Sequence, residues 1–211
     1  MGDFYGVRNM KRLVAFTGAG ISRDSGIPTF VELGDLREKL SRSYFNAYPR
    51  DFYDVLKEFT DKIKSADPNE AHRALAKYDI PIITMNIDSL HNKAGSENVL
   101  EIHGNLTYVY CPKCKKEYEF NTVYDSIYCS DCNEILEPNV VLYEDMIPGY
   151  MEAMDIVDAA DVLLVIGTSF YTSTASFMTQ RAEMQGIKVE IINENAKELV
   201  PKYLEKLFNN K

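Results

Sequence analysis

No apolar stretch in this 211-residue chain reaches bilayer length: the longest strongly apolar run, Val162-Leu163-Leu164-Val165-Ile166, has five residues, where a spanning helix needs about 20. The first residues hold no basic segment followed by a long apolar one, so neither leader nor anchor is expected and the protein is expected to be cytoplasmic. Positive charge is also in short supply. Lys and Arg number 23 against 32 Asp and Glu, a formal charge of −9. That balance lacks the basic footprint of a nucleic-acid binder and would attract cationic partners such as lysine-rich peptides. Repeats and low-complexity segments are absent. Cysteine is confined to four residues within 22 positions, arranged as two C-x-x-C pairs, which reads as a metal site more readily than as disulfides.

What is present suffices for a core. The chain is 45% hydrophobic, and its length suits one main domain with a small insertion. Short apolar runs over 12–16, 80–84, 99–102, 161–166 and 188–192 predict strands, and runs this apolar suit a parallel sheet covered on both faces. Helical periodicity covers 51–64, 71–78, 151–160, 174–185 and 196–208. The alternation predicts an α/β fold, a Rossmann-like doubly wound parallel sheet with a small zinc-ribbon module and a helical insertion. The expected boundaries are 1–34, 78–106 and 138–211 for the sheet domain, 35–77 for the helical insertion and 107–137 for the ribbon.

Cys111-Pro112-Lys113-Cys114 and Cys129-Ser130-Asp131-Cys132 are 14 residues apart, a spacing that lets two thiolate hairpins converge on one tetrahedral Zn²⁺. Four thiolates leave no position for water, so the ion is expected to be structural. Glu117, Glu119, Asp125, Asp131, Glu134 and Glu137 make the module acidic, against a nucleic-acid role.

Strand-end loops supply candidate ligand contacts. Gly18, Ala19, Gly20 and Ile21 follow the first strand, where glycines allow a sharp turn and close approach of backbone amides to a diphosphate. Position 23 is Arg, so the dinucleotide fingerprint G-x-G-x-x-G is incomplete. Gly167, Thr168 and Ser169 follow the fourth strand and Asn193 and Glu194 the fifth, and ligands of open α/β sheets sit at these carboxyl ends.

Taken in order, Gly18-Ala19-Gly20-Ile21-Ser22, Ser25-Gly26-Ile27-Pro28-Thr29-Phe30, Asn86-Ile87-Asp88-Ser89-Leu90-His91, Ala94-Gly95, His103-Gly104-Asn105, both cysteine pairs and Gly167-Thr168-Ser169 resemble the sirtuins, NAD-dependent protein lysine deacylases. The likeness runs from about Arg12 to Asn195. It implies that the acyl-lysine oxygen attacks the anomeric carbon of the NAD ribose as nicotinamide leaves, and that the acyl group ends on ADP-ribose. It places the general base at His103, suited to this by its ordinary pKa near neutrality. Asn86 is implied beside the nicotinamide ribose, Asp88 at the carboxamide and Phe30 in the cofactor loop. Val140, Val141, Leu142 and Tyr143 are implied to receive the acylated lysine of a protein or peptide by strand addition. For His72 and His91, helix packing or capping is the expected role.

Three positions depart from the family pattern. Val31 stands for an arginine, Met85 for a glutamine able to bond a ribose hydroxyl, and Glu144 for a glycine. The segment after Asn195 is short, and residues 31–48 hold no Tyr-x-x-Arg pair of the kind associated with acidic acyl groups. Lower cofactor affinity or a slower base step is expected. ADP-ribosyl transfer, NAD hydrolysis and a catalytically weak NAD- or ADP-ribose-binding module stay open as alternatives, as does the oligomeric state.

Overall fold

The computed structural model describes residues 12–29, 32, 36–168 and 173–209. Phe30, Val31 and Ser169 lie outside the described residues. The strands are β1 (Leu13–Thr17), β2 (Ile82–Thr84), β3 (Val99–Glu101), β4 (Gly104–Tyr110), β5 (Glu117–Glu119), β6 (Glu137–Val140), β7 (Val162–Ile166) and β8 (Lys188–Ile192). The helices are α1 (Leu36–Lys39), α2 (Arg42–Ala47), α3 (Pro49–Ser65), α4 (Glu70–Lys77), α5 (Leu90–Lys93), α6 (Thr122–Asp125), α7 (Tyr150–Asp158), α8 (Ser173–Met184) and α9 (Ala196–Asn209), with a 3₁₀ turn over Ala19–Ser25. Among the described residues no helix is long and apolar enough to cross a membrane.

The larger sheet is parallel, with order β3-β2-β1-β7-β8. Period-two alternation sends successive side chains of β1 and β7 to opposite faces. Leu13, Ala15, Leu164 and Ile166 pack against Ala71 and Leu75 of α4 and Val200 and Leu204 of α9. Val14, Phe16, Leu163 and Val165 pack against Ala153 and Val157 of α7 and Met178 and Ala182 of α8. Covered on both sides, these strands are apolar throughout, which is why their sequence shows runs and not alternation.

A second core lies elsewhere. Phe45, Phe52, Tyr53 and Leu56 from α2 and α3 cluster with Leu106, Val109, Phe120, Val123 and Leu136 of the cysteine module, whose own sheet is antiparallel with order β5-β4-β6. The Tyr53 hydroxyl donates to the Leu136 carbonyl at 2.5 Å, tying helix to ribbon. The two helices that the sequence groups into one insertion over the sheet therefore divide: α3 joins the ribbon and α4 joins the parallel sheet. A capping box fixes the start of α4. Asn69 Oδ1 accepts from the Ala71 N–H at 3.0 Å, while His72 Nδ1 accepts from the Asn69 N–H at 3.3 Å.

The link between sheets runs through Gly104, whose φ is +71°. A Cβ there would lie 2.1 Å from the Asn139 carbonyl oxygen, so only glycine lets β4 and β6 meet at Gly104 and Val140. Beyond β6, residues 143–145 are clamped to α2. Ser41 and Tyr143 form a parallel bridge, and Arg42 binds Glu137 at 2.7 Å and both oxygens of Asp145 at 2.9 Å. Glu144 has φ +82° and accepts from the Ser43 N–H and hydroxyl, both at 3.0 Å.

Those two bonds offset a left-handed backbone that costs a non-glycine residue about 1–2 kcal/mol. Glu144→Gly loses the bonds and the strain together, and its urea unfolding midpoint should lie near that of the parent. Glu144→Ala loses the bonds and keeps the strain, and should be less stable than Glu144→Gly by about 1 kcal/mol; equal midpoints for the two variants would reject this account.

Candidate active site

The strand order reverses between β1 and β7, and a crevice outside the carboxyl ends of two such strands is where a doubly wound sheet takes its ligand. The loops leaving these strands press on one another. A Cβ on Gly20 would sit 2.7 Å from Gly167 Cα, and one on Gly18 would sit 2.9 Å from the Gly167 carbonyl oxygen. The glycines thus serve loop-to-loop contact, with the Gly20 N–H donating to the Gly167 carbonyl at 2.9 Å. The Ile21 side chain is wholly buried in the core, leaving only its main chain at the loop. Asn193 Oδ1 accepts from the Thr168 N–H at 2.9 Å, bringing the ends of β7 and β8 together, while Glu194 is exposed.

Below this crevice lies a buried polar chain drawn from β1, β2, α4 and α5. Because His72 Nδ1 accepts from Asn69, its Nε2 carries the proton and faces Ser22 Oγ at 3.4 Å. Ser22 passes its own hydroxyl hydrogen to Asp88 Oδ2 at 2.7 Å and also accepts from Asn86 Nδ2 at 3.2 Å. Asp88 Oδ1 accepts from the Leu90 N–H at 2.9 Å. Burial pushes the Asp88 carboxyl up, against the pull of its bonds from Ser22 and Leu90.

Thr17 donates to Thr84 Oγ1 at 2.8 Å, so the His91 Nε2 lying 3.0 Å from Thr17 Oγ1 is the donor there. The two imidazoles are 4.9 Å apart. Burial, with the Arg73 charge behind it, pushes His72 down to about 4, and burial holds His91 well below the ordinary range. Both rings are neutral at pH 7. Asn86 Oδ1, His91 Nδ1 and Thr168 Oγ1 are shut off from solvent without a partner. Polar atoms in that state are costly, and at a switch point they mark places a polar ligand can satisfy.

His103 lies just before Gly104, in the turn that leaves the parallel sheet for the ribbon. Glu101 Oε2 accepts from Asn105 Nδ2 at 2.6 Å across this turn, and the Val141 N–H donates to the His103 carbonyl at 2.9 Å. Burial lowers the imidazole pKa, while a hydrogen bond to the Met85 main chain pulls it back up. The ring lines a cavity of about 430 Å³ together with Val140, Val141, Leu142, Tyr143 and Ile87. Leu40 and Leu56 line it as well, and Arg37 lies with its guanidinium 4.8 Å from the Tyr143 ring centre. Asn86 and Asp88 do not line this cavity; Ile87, between them in the chain, does. The main-chain groups of Tyr143 are engaged, its N–H by the Leu40 carbonyl at 3.2 Å and its carbonyl by the Arg42 N–H at 3.0 Å.

Sequence reading does not select Ser22, Leu40, Leu56 or Ile87 for the site. Ser22 leaves one trace, a polar side chain following Ile21 in a loop that sinks into the core. Leu56 reads as an ordinary helix-face residue, and Leu40 falls in the loop before the first predicted helix.

The four cysteine sulfurs lie within 4.8 Å of one another. Cys111 and Cys132 sulfurs are 3.2 Å apart and those of Cys114 and Cys129 3.7 Å, beyond the roughly 2.05 Å of a disulfide. A thiolate tetrahedron around zinc, with Zn–S about 2.3 Å, has edges of about 3.8 Å, so the four sulfurs are grouped on the scale of one such site and need shifts of no more than about 1 Å to enclose the ion. Lys115 and Asn133, at φ +64° and +56°, turn the chain after each C-x-x-C pair.

The Sir2 family model matches residues 18–173. An NAD-dependent protein deacetylase of Bacillus cereus is 38% identical over 200 residues, covering 87% of this chain and 82% of that protein. The protein of the same name from Bacillus subtilis is 36% identical, covering 94% and 88%. Among solved structures, Sir2 in complex with an inhibitor, 2'-O-acetyl-ADP-ribose and a deacetylated p53 peptide aligns with a TM-score of 0.83 at 32% identity, covering 92% and 93% of the two chains. A Sir2 mutant with p53 peptide and NAD aligns with a TM-score of 0.85 at 31% identity, covering 94% of each. With the order of motifs, the sheet topology and the whole-length likeness in agreement, the chain belongs to the Sir2 family.

Proposed function

We propose that this protein is an NAD-dependent protein lysine deacetylase, which releases nicotinamide and transfers the acyl group from lysine to ADP-ribose. The carrying observation is the His103 imidazole on the wall of an otherwise largely apolar cavity, next to the buried polar chain at the switch point. Bound NAD supplies the electrophilic ribose carbon that the acyl oxygen attacks.

The chain's residues divide the remaining work. His103 gives one ring N–H to the Met85 main chain, so its other nitrogen takes the proton of a ribose hydroxyl as general base. Asp88, oriented by Ser22 and the Leu90 N–H, holds the nicotinamide carboxamide, and Asn86 offers its unpartnered Oδ1 beside the ribose. Gly18, Ala19, Gly20 and Ile21 would form the loop against the diphosphate, with the Gly18, Gly20 and Ile21 N–H groups already held by the Ile166, Gly167 and Gly18 carbonyls, and Phe30 is assigned a further cofactor contact. Gly167, Thr168, Ser169, Asn193 and Glu194 would supply the further cofactor contacts. Val140, Val141, Leu142 and Tyr143 wall the acyl-lysine. Val141 and Tyr143 already spend main-chain groups within the protein, so side-chain walls contribute more to lysine capture than a fully open strand edge would. Cys111, Cys114, Cys129 and Cys132 hold one structural Zn²⁺. We place the protein in the cytoplasm, where thiols stay reduced and NAD is available.

A second reading, NAD hydrolysis or ADP-ribosyl transfer, is favoured by Met85. Its methyl group packs toward Gly18, within 3.2 Å of where a Cβ would lie, and offers no donor to a ribose hydroxyl. Only deacetylation yields O-acetyl-ADP-ribose. Mass spectrometry of the products from NAD and acetyl-lysine peptides should show that species in step with nicotinamide; nicotinamide and ADP-ribose alone would select the second reading.

His103→Ala should lower turnover by about 10²–10⁴-fold while zinc content and thermal unfolding stay at the parent values. A variant that keeps the parent rate would remove His103 as the base. Because burial lowers the His103 pKa below its ordinary 6.5, the neutral base is already present at pH 7. The acid limb of kcat/KM should therefore be centred below pH 6.5; an acid limb centred above pH 7 would contradict this environment.

A further inference from the structure

The four sulfurs of the ribbon do not have equivalent surroundings. Cys111 Sγ accepts from the Cys114 main-chain N–H at 3.5 Å, a bond made within its own C-x-x-C turn. Cys129 is approached by a side chain from a different segment: Tyr118 Oη, on β5, lies 3.1 Å from Cys129 Sγ.

The neighbours decide where the one phenolic proton goes. The Ser130 main-chain N–H donates to the phenol oxygen at 3.3 Å, so the oxygen is an acceptor on that side. Ser130 Oγ is also 3.1 Å from the phenol, but it gives its own hydrogen to Asp131 Oδ1 at 2.8 Å and accepts from Lys116 Nζ at 3.3 Å. Two acceptors then compete for the phenolic proton, a hydroxyl already engaged and a sulfur that is a thiolate whenever metal is bound. Hydrogen bonds to an ionised acceptor are the stronger kind. Lys116 Nζ completes the frame, 3.0 Å from both oxygens of Asp131 and 5.2 Å from the Tyr118 ring centre.

We propose that Tyr118 is a positioning residue of the zinc site, donating its phenolic O–H to Cys129 Sγ and so slowing release of the ion. Four thiolates around a divalent ion leave excess negative charge, here within an acidic module. A donor on one sulfur draws off part of that charge, lowers the tendency of the sulfur to take a proton and detach, and fixes its direction. Partners in this outer position are typically worth about 10–100-fold in metal affinity.

Tyr118→Phe keeps the ring and removes the donor. Zinc transfer from the full-length protein to a chelator at pH 7 should become about 10–100-fold faster. In the cobalt-loaded protein the sulfur-to-cobalt charge-transfer band should move to lower energy, because an undonated thiolate is more electron-rich; a role in packing alone would leave that band in place. Ser130→Ala, which deletes the competing acceptor together with its exposed bonds to Asp131 and Lys116, should change release by no more than about twofold. Unchanged release with an unmoved band in Tyr118→Phe overturns the proposal, as does markedly slower release in Ser130→Ala, which would mean that the phenol bonds to serine in the parent. If Tyr118→Phe retains no metal, NMR of the cadmium-loaded parent decides. A protected phenolic proton coupled to the metal supports the bond, and a freely exchanging, uncoupled one rejects it.

Discussion

The pairing of β1 with β7 governs the rest of the molecule. The two strands lie in register from Leu13↔Val162 to Thr17↔Ile166, although nearly the whole nucleotide-side architecture is inserted between them in sequence. That pairing sets the point where strand order reverses, and it forces the loops leaving both strands into the same small space. Only glycine fits where they meet, at Gly20 and Gly167. Close backbone packing and a ligand crevice are thus two results of one constraint, and the glycine pattern cannot be assigned to ligand contact alone.

Beside the crevice, the protein spends hydrogen bonds to keep a carboxylate and two histidines in its interior. Burying a charge or a polar ring is unfavourable unless each donor finds an acceptor. Here the order of donation runs from His72 through Ser22 to Asp88, with Asn69 fixing the tautomer at one end. Three of the buried atoms left without a partner, Asn86 Oδ1, His91 Nδ1 and Thr168 Oγ1, lie on or beside this network, which is consistent with a polar molecule completing the arrangement.

Much of this was legible in the sequence. The fully apolar runs of β1 and β7 point to strands covered on both faces, the usual situation in a parallel sheet flanked by helices. The cysteine spacing announces a four-sulfur centre because short C-x-x-C turns aim both thiolates the same way. Less was legible wherever the signal is short or distant. Helices α1, α2, α5 and α6 span four to six residues, too few for a repeating apolar face. Ser22 and Asp88 are 66 positions apart, and nothing local in either announces their bond. The partition of α3 and α4 between two cores was hidden because both have an apolar stripe, and a stripe does not say which surface it meets. Glu144 reads as a loss of glycine, whereas its carboxylate finds two donors on α2 that sequence does not reveal.

The division into separate cores has a mechanical result. The cavity beside His103 lies along the seam: Leu56 and Leu142 belong to the ribbon-side core, and Ile147 packs on the sheet-side core. The peptide segment holding His103 is the short tether between β3 of one sheet and β4 of the other. The group that would move the proton therefore stands on the seam where the two cores meet, and its position depends on how both of them pack.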